Sequence, residues 1–120
     1  MKLDSTDVLF SRVVRKRANY RCERCNKEFA SNDVRLNCSH FIGRSWRTTR
    51  WSFDNCDSLC ASCHAEFELR KGTDYTIWKQ KKLGEEKFDK LVLAGRNKDV
   101  PSETLRKQWR KEWRQELNQQ

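Results

Sequence analysis

The 120-residue chain has no run of apolar residues long enough to span a bilayer, no internal repeat and no low-complexity tract. These absences exclude a membrane-crossing helix and a repeat array. The opening residues, MKLDSTDVLF, lack the basic start, apolar stretch and small-residue cleavage site of a signal peptide. A soluble cytoplasmic protein is therefore expected. Proline occurs once, at Pro101, and histidine twice, at His40 and His64. Both histidines fall in one stretch, CSHFIGRSWRTTRWSFDNCDSLCASCH, so both need a chemical account.

What is present is charge and cysteine. Hydrophobic and charged residues each make up 36% of the chain, which limits it to a modest core. Cores this thin commonly gain stability from a metal or a cross-link. The chain has six cysteines. In a reducing cytoplasm, paired cysteines point to metal thiolates rather than disulfides. Cys22-x-x-Cys25 and Cys60-x-x-Cys63 have the spacing that places four thiolates around one tetrahedral zinc, leaving Cys38 and Cys56 over. The net charge is +9, and residues 1–50 carry twelve Lys/Arg against five Asp/Glu. Such a concentration suggests a polyanionic partner, most simply nucleic acid, while the lack of a spanning segment argues for no membrane.

Periodicity and caps predict a helix over about Thr6–Ala18, a short strand through Val34, Leu36 and Cys38 that ends at His40, and a loop over Ile42–Asp54 with a second strand inside it. A helix through ASCHAEFELRKG should stop at Gly72. Two short helices follow, ended by Gly84 and Gly95. The last helix, from about Ser102, carries Leu105, Trp109, Trp113 and Leu117 at four-residue spacing. That stripe either docks on the chain's own surface or forms a seam for a homodimer or protein partner.

Hydrolysis of a phosphodiester needs a base for water, a cation for the developing charge and positive groups for the backbone. His40 supplies the base and His64 the cation ligand. Arg44, Arg47 and Arg50 supply phosphate contacts, and Trp46 and Trp51 supply stacking or wedge surfaces.

This array, a strand histidine (His40), a loop asparagine (Asn55) and a helix histidine (His64) closing LCASCH, resembles the HNH, or ββα-metal (His-Me finger), nuclease family. Within that family, HFIGR and YTIWKQKKLGEEKFDKL most resemble the phage recombination nucleases of the NinG type. The resemblance implies an α+β fold: a small zinc-braced ββα-metal core over about residues 20–72 with flanking helices. It divides the chain into a nuclease domain over 1–98, N-terminal helix included, and an amphipathic helix over 99–120. It implies a metal-dependent DNA endonuclease acting on duplex or branched DNA, in the bacterial host's cytoplasm if phage-encoded. His40 would be the general base and Asn55 the brace that orients it. His64 would be a ligand of the catalytic ion, magnesium or manganese first, with nickel or zinc as alternatives.

Many family members carry Asp, His or Glu immediately before the catalytic histidine as a metal ligand, where this chain has Ser39. Asn37 and Cys38 are the substitutes nearby, and a thiolate would favour a softer ion than magnesium. The competing reading is a non-catalytic, zinc-stabilised DNA-binding module with the same fold. Such a module has no need of His40.

Overall fold

A computed structural model of the chain describes residues 3–69 and 73–119. Among them it has six helices and one two-stranded antiparallel sheet, a small α+β fold. Helix α1, Ser5–Arg17, begins at Asp4, whose side chain accepts from the Asp7 N–H while Asp7 accepts in return from Asp4. Its apolar stripe of Leu9, Phe10, Val13 and Val14 is buried.

Strand β1 is Leu36–His40 and strand β2 is Cys56–Cys60, with His40 opposite Cys56 and Ser39 opposite Asp57. The second strand does not lie within Ile42–Asp54 as expected; it follows that loop and ends on the first cysteine of the second knuckle. The loop instead holds the four-residue helix α2, Arg47–Arg50. Val34 lies outside β1, with 88% of its surface exposed. Helix α3, Ala61–Leu69, starts directly after β2; its predicted stop at Gly72 lies outside the described residues.

Helices α4 (Thr73–Leu83) and α5 (Glu85–Arg96) are separated by Gly84, whose φ of 81° suits glycine. Gly95 does not end α5 but lies inside it. A Cβ at Gly95 would come within 2.7 Å of Ile42 Cδ1, so the missing side chain lets the loop rest on the helix. Helix α6, Glu103–Leu117, is capped by Ser102, which accepts from the Leu105 N–H.

The strand pair separates two cores. One joins Phe29, Leu36, Leu59, Phe67 and Tyr75 beside the knuckles. The other joins α1 to Trp51, Cys56 and Trp113, with Trp109 and Leu117 packed against it. Trp113 lies 5.3 Å from Phe10 between ring centroids and stacks on Trp109. Burying an aromatic ring of this size contributes about 1.5–3 kcal/mol. The chain itself therefore covers most of the C-terminal stripe. Only Leu105 of its four members is exposed. No helix of the described residues is long and apolar enough to cross a membrane.

Candidate functional site

The knuckle cysteines converge. The Sγ atoms of Cys22, Cys25, Cys60 and Cys63 all lie within 4.8 Å of one another, and Cys25 and Cys60 are 3.9 Å apart. A tetrahedron with zinc–sulfur bonds of about 2.3 Å has edges near 3.8 Å, so spacing and donor set both fit zinc. Backbone N–H groups of Cys25 and Cys63 point at the sulfurs of Cys22 and Cys60, at 3.5 and 3.4 Å. Burial disfavours the Cys22 thiolate, but backbone N–H groups outweigh it and bring that thiol down to about 7. The cluster clips the segment after α1 to the β2–α3 junction.

That junction fixes the two histidines. His40 ends β1, half-buried, with Nε2 2.8 Å from the Arg50 carbonyl oxygen. A carbonyl can only accept, so Nε2 carries the proton and Nδ1 the lone pair. Burial lowers the His40 pKa below its ordinary 6.5, and the Arg44 and Arg50 charges lower it further. The Arg50 carbonyl and Asp7 oppose the shift in part. The imidazole is thus neutral at neutral pH.

Asn55 is fully buried under the loop that presents Arg50. Its Oδ1 accepts from the Ile42 N–H at 2.7 Å, and its Nδ2 donates to the carbonyls of Ile42 and Thr49, each at 3.0 Å. One amide side chain therefore ties both ends of the loop. Asp7 holds the loop from the other side. It accepts from Arg50 Nε at 2.8 Å, Arg50 Nη2 at 2.5 Å and Trp51 Nε1 at 3.1 Å. Burial opposes the Asp7 carboxylate, but Arg50 and the Asp4 N–H outweigh it and keep its pKa below the usual value. Asp7 thus holds Arg50, whose carbonyl holds His40.

A cleft of about 430 Å³ opens between α1, β1 and α3, lined by Asn37, Cys38, His40, Arg44 and His64 among others. His64 Nε2 lies 3.2 Å from Glu68 Oε1, one helical turn on. Metal-binding histidines commonly direct one ring nitrogen at a carboxylate in this way, leaving the other for the ion. His64 belongs to no cluster of three His, Cys, Asp or Glu donors among the described residues. An ion at His64 would draw its remaining ligands from Asn37, water or a phosphate. Ser39 cannot contribute: it is 1% exposed, and its Oγ lies 3.1 Å from the Tyr75 hydroxyl. Cys38 groups with His40 and Cys56 instead.

The cationic loop divides in two. Arg47 and Trp46 are exposed, and Arg44 lines the cleft with a buried Nε that has no hydrogen-bond partner among the described residues. Arg50 and Trp51, expected to face DNA, do not: they are 3% and 5% exposed, because Asp7 draws both inward. Sequence reasoning also missed Asp7 and Glu68. Asp7 looks like an ordinary capping residue, whereas the His64–Glu68 spacing of four was a readable signal on a helix.

Comparison of the chain with protein-family models, with curated proteins and with solved structures finds no match.

Proposed function

We propose that this chain is a metal-dependent endonuclease of the HNH type that hydrolyses DNA phosphodiester bonds. The observation that carries the reading is the tautomer of His40: Nε2–H is committed to the Arg50 carbonyl, leaving a neutral, rigidly held Nδ1 as proton acceptor in a cationic cleft. In this reading the lone pair on Nδ1 takes a proton from water as the water oxygen attacks phosphorus and the bond to the leaving sugar oxygen breaks. The Arg50 carbonyl stabilises the imidazolium that results. Asn55 and Asp7 keep that carbonyl in place. Arg44 neutralises the attacked phosphate, Arg47 binds a flanking one, and the exposed ring of Trp46 stacks on or wedges between bases.

His64, backed by Glu68, and Asn37 would hold the catalytic cation. When bound, such an ion supplies positive charge to the phosphate and the leaving oxygen. A hard ion, magnesium or manganese, suits the nitrogen and oxygen donors of this set, and the four-cysteine cluster would hold a separate structural zinc.

The buried Ser39 and the sparse donor set at His64 favour one alternative, a zinc-stabilised module that binds DNA without cutting it. One assay separates the two. Plasmid nicking is measured in EDTA and after adding magnesium, manganese, nickel or zinc, with His40→Ala alongside and circular dichroism reporting the fold. The nuclease reading expects ion-dependent nicking that His40→Ala abolishes. Tight DNA binding without nicking in any ion would leave the module.

A further inference from the structure

Cys38 and Cys56 are used neither by the four-cysteine cluster nor by the proposed hydrolysis, yet they flank His40. Cys38 sits two residues before it on β1, so both face the same side of the strand pair, and Cys56 is its direct partner across the ladder. A sulfur from each cysteine and a ring nitrogen of His40 lie within 4.8 Å of one another. That is the same bound the four-cysteine cluster meets.

We propose that Cys38, His40 and Cys56 form a second metal site, for a soft divalent ion such as zinc, and that an ion held there switches hydrolysis off by occupying the lone pair of His40. The switching half rests on the reading of His40 as the base; the binding half does not.

Zinc bonds of about 2.0–2.3 Å place tetrahedral donors roughly 3.4–3.8 Å apart, so closing this site needs donor separations to shrink by at most roughly 1–1.4 Å. All three donors stand on paired strands, which hold them in near-final positions before an ion arrives. Entry is from the cleft, which Cys38 and His40 line and where both are exposed in part; Cys56 is buried, 3% exposed.

Charge favours a divalent ion. Two thiols each release a proton, and the resulting dithiolate neutralises M²⁺, so the buried centre carries no net charge. The fourth position is left to water. The donor set of two sulfurs and one nitrogen selects zinc and disfavours magnesium, whereas nitrogen and oxygen at His64 do the reverse. Activation and inhibition would then respond to different ions at neighbouring sites.

Cobalt(II) tests this on the full chain, kept reduced with a phosphine. Wild type should take up two thiolate-bound equivalents, each adding thiolate-to-cobalt charge-transfer absorption that an ion at His64, with no sulfur donor, would lack. Cys38→Ser and Cys56→Ser should each lose the second equivalent and keep the first. Cys38 is only half-buried, so that variant decides the matter even if Cys56→Ser folds poorly. In magnesium-supported nicking, zinc should inhibit wild type, and Cys38→Ser should need at least tenfold more zinc, each measured against its own zinc-free rate. A single thiolate-bound equivalent in wild type, or a second whose charge-transfer absorption survives both substitutions, overturns the site. Two equivalents with nicking indifferent to zinc overturns the switch. A second ion bound by a chain that cuts nothing in any ion keeps the site and removes the nuclease reading instead.

Discussion

Two buried ion pairs flank the strand pair, and they hold different things. On the α4 side, Lys79 donates to Asp57 Oδ1 at 2.9 Å with both side chains fully buried. Lys82 and the Tyr75 hydroxyl complete the shell of that carboxylate, at 2.5 and 2.7 Å. Burial pulls the Lys79 pKa down, and the Asp57 charge opposes it. On the α1 side, Arg50 forks onto Asp7. The Asp57 cluster fastens α4 to β2 and makes no hydrogen bond to His40, Arg44 or His64. The Asp7 pair fastens α1 to the segment whose carbonyl orients His40. Burial of charge alone therefore does not mark function; the backbone that the charge immobilises does.

The largest effect tests what both pairs depend on. Removing the ion from the four cysteines, or making Cys60→Ser, should unfold the chain, because for such sites binding energy is folding energy. Loss of helical circular dichroism on strong chelation, restored by zinc, is the expected result. Next come the pairs themselves. Asp57→Ala and Asp7→Ala each take the carboxylate away from a buried cation, so each should cost about 3–5 kcal/mol in urea unfolding. The comparison predicts a split: nicking per folded molecule should stay near wild type for Asp57→Ala and fall at least tenfold for Asp7→Ala. Equal activity in the two variants would break it. His40→Ala is the converse, with nicking down about 10²–10⁴-fold and DNA binding retained.

Two smaller effects sharpen the contrast. Because the His40 pKa lies below 6.5 and the base must be neutral, the acid limb of the pH–rate profile should fall below that value. Arg44 disfavours the imidazolium, so Arg44→Gln should move that limb to higher pH. The other effect is on binding. Arg47→Ala should reduce the salt slope of DNA binding by about 1 without changing stability, whereas Arg50→Ala should lower stability first. Trp46→Ala should reduce any preference for branched over plain duplex DNA.

The division between these residues shows where sequence reading stops. Helix α1 was legible because Asp4 begins it and its apolar residues recur at helical spacing. The convergence of the four cysteines was legible because paired short spacings have few other uses. His40, Asn55 and His64 stood out through their order along the chain. The partner of Arg50 was not legible, since Asp7 lies 43 positions away and already has a local reason to exist. Arginines at 44, 47 and 50 look alike in sequence, and only packing separates the exposed one from the buried one. Strand β2 was misplaced because its last residue doubles as a knuckle cysteine, so the metal motif masked the ladder. Gly95 resembled a helix stop because space for Ile42 cannot be seen along the chain.

The clasp between α1 and α6 has a consequence in time. Arg17 pairs with Glu116, and Lys16 reaches the carbonyls of Glu116 and Gln119, contacts about a hundred positions apart. Trp113 closes the core beneath Phe10, on the helix that presents Asp7. A ribosome adding about 5–20 residues per second completes His64 roughly 2–10 s before it reaches Trp113. Throughout that interval the nascent chain holds every residue of the proposed catalytic site, but α1 still lacks the helix that seats it. Assembly of the cleft therefore waits for α6, and a chain stalled before Trp113 would carry the whole motif without a finished site.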